Sequence, residues 1–182
     1  WRPDLQEPKR SGNGMENDAN LTIPSGRTIT LSGAGLDGAG TLTLAGGTLN
    51  LSTTSPNTNR GNFNITNAIP FNLKGASLVN TGTLNLNEVL LAGAGTLTNG
   101  PGGVVTGRGA ITAAFANAGG TVVVGPGTTN ITQPFTNAGN LQLADPAANL
   151  AGGAITNNRT IQASAPRTRS SAQRRCLSSA KR

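Results

Sequence analysis

From about residue 20 to residue 162 the chain is built of short runs in which apolar and polar residues alternate. Leu21-Thr22-Ile23, Thr28-Ile29-Thr30-Leu31, Thr41-Leu42-Thr43-Leu44, Thr48-Leu49-Asn50-Leu51 and Leu84-Asn85-Leu86 all follow this rule. Alternation places Leu and Ile on one side and Thr or Asn on the other, the pattern of a half-buried β-strand. Each run is bounded by Gly-Ala-Gly, Gly-Gly or Asn-Gly, which supply the backbone freedom of tight bends. No 3.6-residue period persists over this stretch, so it is read as all-β.

The runs also repeat. The pattern apolar-x-Asn followed by turn residues recurs as Leu78-Val79-Asn80, Leu97-Thr98-Asn99, Phe115-Ala116-Asn117, Phe135-Thr136-Asn137 and Ile155-Thr156-Asn157. The Asn spacings are 19, 18, 20 and 20, and a weaker copy, Ile65-Thr66-Asn67, precedes Asn80 by 13. Hairpins marked by Asn-Gly would explain the turns but not the constant interval. A solenoid explains both, because it stacks like on like. Its coils lie ~4.8 Å apart, close enough for a recurring turn Asn to share amide hydrogen bonds along the axis. Asn80, Asn99, Asn117, Asn137 and Asn157 are therefore expected at equivalent corners of successive coils. Leu84, Leu86, Leu97, Phe115, Val123, Phe135, Leu141, Leu143 and Ile155 are expected to point inward. The expected division is a disordered leader over 1–19, a solenoid of about seven coils over 20–162, and a basic disordered tail over 163–182.

Composition sharpens this picture. Aromatic residues make up 3% and charged residues 12% of the chain, with 26 Gly, four Phe, one Trp and no Tyr. Charged residues usually reach about 25%. So few large side chains suit a thin core repeated many times better than a thick sandwich. The net charge of +7 is uneven: −1 over residues 1–19, +2 over 20–162 and +6 over 163–182. The high charge thus belongs to the tail, which is expected to bind polyanions weakly and less as salt rises, and no specific nucleic-acid partner is expected. The one cysteine, Cys176, excludes an intrachain disulfide. No apolar run approaches the ~20 residues of a membrane span. The chain opens at Trp1 and shows no signal peptide, so it reads as a fragment or processed piece.

Catalytic chemistry is poorly supplied. Histidine is absent, which removes the commonest general base and metal ligand. No Cys/His cluster suggests zinc. The solenoid carries three acids, Asp37, Glu88 and Asp145, at separations of 51 and 57 residues. At that separation they fall about three coils, or ~13–14 Å, apart along the axis. A glycosidase pair needs about 5–9.5 Å. An enzyme, a cofactor and a metal are accordingly not expected. Gly33-Ala34-Gly35-Leu36-Asp37-Gly38 has the look of a calcium-binding turn but occurs once. Thr-x-Thr pairs at 28/30, 41/43 and 96/98 raise an ice-binding face, although their gaps of 13 and 55 are irregular. Asn64-Ile65-Thr66 and Asn130-Ile131-Thr132 fit the glycan-acceptor triplet, which chance accounts for in so Asn- and Thr-rich a chain.

Gly38-Ala39-Gly40-Thr41-Leu42-Thr43-Leu44-Ala45-Gly46-Gly47-Thr48-Leu49-Asn50-Leu51, echoed by Gly93-Ala94-Gly95-Thr96-Leu97-Thr98, resembles the autotransporter-associated β-strand repeat of bacterial passenger domains. The Asn-Ala-Gly turns at 117 and 137 are similar to those of haemagglutinin-like adhesin β-helices. The resemblance covers most of residues 30–162. It implies a single-stranded, right-handed parallel β-helix on a secreted or surface-exposed bacterial protein. The function it implies is a structural rod that displays loops to a surface ligand such as a glycan or host protein. A polysaccharide-binding or polysaccharide-cleaving β-helix and an ice-binding solenoid are the alternatives. An uncapped rod is also expected to associate end to end.

Overall fold

The computed structural model describes residues 14–66 and 70–164, which form twenty-three β-strands and no helix. The first coil holds β1 (Met15–Glu16), β2 (Asn20–Pro24) and β3 (Thr28–Thr30); the second holds β4 (Leu36–Gly38), β5 (Thr41–Ala45) and β6 (Thr48–Asn50). The third contains β7 (Asn57–Asn59), β8 (Asn62–Thr66) and β9 (Phe71–Asn72), and the fourth β10 (Ser77–Asn80), β11 (Thr83–Asn85) and β12 (Val89–Ala92). The fifth is β13 (Thr96–Asn99), β14 (Val104–Thr106) and β15 (Gly109–Ile111), and the sixth β16 (Ala114–Asn117), β17 (Thr121–Val124) and β18 (Gly127–Ile131). The seventh is β19 (Phe135–Asn137), β20 (Asn140–Leu143) and β21 (Ala148–Gly152), after which β22 (Ile155–Asn157) and β23 (Thr160–Ala163) begin an eighth.

Except between β6 and β9, every third strand pairs with its counterpart in the next coil, and these strand pairs are all parallel. The first face is the eight-stranded sheet from β1 to β22, and the second is the eight-stranded sheet from β2 to β23. The third face is divided into β3–β6 and a five-stranded sheet from β9 to β21. Across that division the Lys74 ammonium donates to Asn50 Oδ1 at 2.8 Å. The molecule is a parallel β-solenoid of about seven turns.

The strict register follows from the period-2 alternation, since a slip of one residue would turn every apolar side chain outward. On the second face Leu21, Leu42, Phe63, Leu84, Val105, Val122, Leu141 and Ile161 stack in one column. All but the two end members are buried. Four phenylalanines are the aromatic residues of this core, paired edge to face with ring centroids 5.2 Å apart: Phe63 with Phe71, and Phe115 with Phe135. Such pairs add about 0.5–1.5 kcal/mol beyond burial. The core is thin and continuous, as so few large side chains require.

Several positions differ from the sequence reading. Val123 points outward and Val122 and Val124 inward. In Val122-Val123-Val124 alternation carries no signal, and the ladder of Val122 to Val105 and Leu141 decides the register. Leu143 is half-buried, and Ile155 is 38% exposed because among the described residues only one side of it meets another coil. The leader boundary is also corrected. Met15–Glu16 pairs with Leu36–Asp37, so residues 14–19 belong to the first coil. At the other end β23 runs to Ala163, and the Ser164 N–H donates to Leu143 O at 2.8 Å. Residues 1–13 and 165–182 lie outside the described residues, as does Asn67.

Candidate functional site

The recurring Asn residues form one continuous column of amides at the corner between the first and second faces. Asn80 Nδ2 donates to Asn99 Oδ1 at 2.9 Å, Asn99 to Asn117 at 2.9 Å, Asn117 to Asn137 at 2.6 Å and Asn137 to Asn157 at 2.7 Å. The second N–H of each reaches a backbone carbonyl of the next coil: Val104 O from Asn80 at 3.1 Å, Thr121 O from Asn99 at 3.1 Å and Asn140 O from Asn117 at 3.2 Å. Each amide therefore fastens the corner of the coil above it. Every Nδ2 points toward the C-terminal end, so the bonds polarise one another along the axis. Asn80, Asn99, Asn117 and Asn137 are all fully buried, and these bonds meet the requirement that buried polar groups be paired.

The column begins earlier than the sequence pattern suggests. Asn59 donates to Asn80 Oδ1 at 2.7 Å, one coil below. Its copy of the motif is disguised because a second Asn replaces the apolar residue, giving Asn57-Thr58-Asn59. Asn57 is buried in the apolar column and satisfied on both sides. Its Oδ1 accepts from the Leu36 N–H at 3.1 Å, and its Nδ2 donates to Ser52 O at 2.8 Å and to Ser77 O at 3.0 Å. Below Asn59 the corner position is Gly38, which has no amide to continue the column. Asn17, next to Gly38 in the first coil, is buried and its Oδ1 has no hydrogen-bond partner.

Close axial packing at this corner also explains the glycines two residues on. A Cβ on Gly61 would lie 2.0 Å from Gly40 O, and one on Gly82 would lie 2.1 Å from Gly61 O. Neither residue has positive φ. What these glycines provide is room for one coil to approach the next, rather than the unusual φ expected of turn glycines.

The candidate chemical groups are not gathered. Asp37 lies on the first face in the second coil and is paired with Arg60 at 2.8 Å; Asp145 lies in the turn before β21. Glu88 sits in the turn just before β12, paired with Arg108, beside a shallow open depression lined by Leu90 and Ala110. Both pairs are more than half exposed, where an ion pair contributes little. Among the described residues no group of three His, Cys, Asp or Glu could hold a metal ion, and no helix is long and apolar enough to cross a membrane.

The Thr-x-Thr pairs fall on three different faces: Thr28/Thr30 on the third, Thr41/Thr43 on the second and Thr96/Thr98 on the first. The register nevertheless reveals an ordered array on the second face. One outward column runs Asn20, Thr41, Asn62, Thr83, Val104, Thr121, Asn140, Thr160. The other runs Thr22, Thr43, Asn64, Asn85, Thr106, Val123, Gln142, Gln162. No charged residue occurs in either. The first face, by contrast, carries Glu16 and Asp37 side by side.

Comparison of the chain with protein-family models, with curated proteins and with solved structures finds no match. The class is therefore defined by the coordinates alone: a parallel β-solenoid held at one corner by an internal amide ladder.

Proposed function

We propose that the chain is a structural rod, a stretch of a secreted or surface-exposed adhesin-like β-helix protein, and that its work is display. The observation that carries this reading is the amide ladder from Asn59 to Asn157, which spans six successive coils. Buried amides satisfied one coil at a time give a stack of fixed rise and make its outer faces regular. Turns and faces held at ~4.8 Å intervals suit many weak contacts made together to a glycan or host-protein surface.

A rod tolerates a change of length where a catalytic or binding pocket does not. Thr96 and Ala114 are register partners, so deleting residues 96–113 removes one whole coil. The deletion variant should fold, and beads coated with it should adhere to glycan- or matrix-coated surfaces as well as beads carrying the full chain. A folded variant that no longer adheres would place the activity in that coil. Turnover of a polysaccharide by the full chain would favour the carbohydrate-cleaving reading instead.

A further inference from the structure

The second face has a property that display alone does not require. Its two outward columns form a grid of about 4.8 Å along the axis by about 6.7 Å along the strand, eight rungs long. Thr and Val, whose branched Cβ fixes χ1, are interspersed with Asn and Gln, so methyl groups stand beside hydroxyls and amides at set positions. Asn85 Oδ1 accepts from the Asn87 N–H at 3.3 Å. The other polar side chains of the two columns make no side-chain hydrogen bond among the described residues, which leaves their donors and acceptors directed at solvent.

We propose that this face binds the surface of crystalline water. A charged group orients its own hydration shell and would break a water lattice, and the grid contains none. An open sheet face buries little of a small ligand or of a single polymer chain, which need a concave site. A planar solid can touch every rung at once, and many weak contacts then add. The grid is of the same scale as the oxygen repeats on crystal planes of ice. A neutral crystalline polysaccharide is the competing planar solid, but sugar rings stack on exposed aromatic plates. The aromatic residues among those described are Phe63, Phe71, Phe115 and Phe135, all buried. The inference goes beyond display, since a rod presents its turns whether or not this face binds ice.

The test uses the full chain, with ice partitioning and thermal hysteresis as readouts. The double variant Asn64→Lys/Thr106→Lys places two charges in the grid, and Thr98→Lys places one on the first face as a control. Partition of the parent chain into growing ice, lost in the double variant and kept in Thr98→Lys, is the expected result. Matched thermal unfolding midpoints would show that the loss is not unfolding. Exclusion of the parent chain from ice overturns the proposal, as does equal loss in the first-face control. Binding to crystalline cellulose or chitin without binding to ice overturns it in favour of a polysaccharide face.

Discussion

Asn99 and Asn117 are joined side chain to side chain at 2.9 Å, and the second amide N–H of Asn99 closes on Thr121 O at 3.1 Å. Both residues are completely buried. Removing either strands a donor on one side and an acceptor on the other. Asn99→Ala leaves Asn80 Nδ2 without its acceptor and Asn117 Oδ1 without its donor. Each orphaned group costs about 1–3 kcal/mol, so a loss of about 3 kcal/mol is expected in denaturant unfolding. Asn157→Ala, at the exposed end of the column, should cost well under half of that. Equal costs at the two positions would show that neither burial nor the paired hydrogen bonds of the inner rungs set the energetics.

Asn99→Asp tests the same column by pH. A carboxylate there can accept from Asn80 but faces Asn117 Oδ1, another acceptor. Burial and this contact favour the protonated acid, raising the folded-state pKa above the unfolded value of ~3.9. A raised folded pKa means the variant is relatively most stable below the unfolded pKa and loses stability as pH rises through the folded one. The deficit of Asn99→Asp relative to the parent should therefore shrink on acidification from pH 7 toward pH 4. A deficit that does not change with pH would contradict the geometry of the ladder.

The register of the second face is open to a paired substitution. Val122 is buried and Val123 faces outward. Val122→Ala should cost about 2 kcal/mol through lost burial and a small cavity, and Val123→Ala only a few tenths. Phe135→Ala removes a ring packed edge to face against Phe115 and should cost about 3–5 kcal/mol. A larger effect at Val123 than at Val122 would show the strand to be turned over.

Glycine roles separate by the same logic. Gly82→Ala drives a methyl group to 2.1 Å from Gly61 O, a backbone atom that cannot swing aside. Overpacking of this kind costs about 1–3 kcal/mol. Around Gly125 nothing lies within 4 Å of an added Cβ, and its φ is not positive. Gly125→Ala should be neutral or stabilising by up to about 1 kcal/mol. Thermal unfolding of the two variants distinguishes close axial approach from simple turn flexibility.

The C-terminal rungs carry the exposed large hydrophobics, Ile155 at 38% and Ile161 at 48%. They stand on strands whose outer edges are unpaired among the described residues, and such an edge is a template for another strand. Sedimentation velocity should show association that grows with concentration, and Ile155→Lys/Ile161→Lys should reduce it. Unchanged association in the double variant would locate the contact elsewhere.

Much of this architecture is legible in the sequence because a solenoid writes the same local message once per coil. Leu84-Asn85-Leu86 shows its inward face by alternation, and the Asn spacing shows the coil length. The signal fails where local chemistry is degenerate. Val122-Val123-Val124 has no polar member to mark a face. Asn57 replaces an apolar residue with an amide that the fold satisfies internally, which hides the coil ending in Asn59. The two-column array of the second face is invisible because its members are some 17 to 21 residues apart and become neighbours only through register. Searching for Thr-x-Thr instead finds pairs scattered over three faces.

The central claim is that successive coils stack in parallel and in register, and thiol cross-linking between coils tests it most directly. Thr98 and Ala116 are register partners on the first face. In a Cys176→Ser background, Thr98→Cys/Ala116→Cys places two outward thiols on Cα atoms ~4.8 Å apart, within disulfide reach. Thr98→Cys/Thr136→Cys places them two rungs, ~10 Å, apart. The account predicts rapid intramolecular closure of the first pair on mild oxidation and none of the second. Closure of the second pair, or failure of the first in a folded chain, would contradict the solenoid.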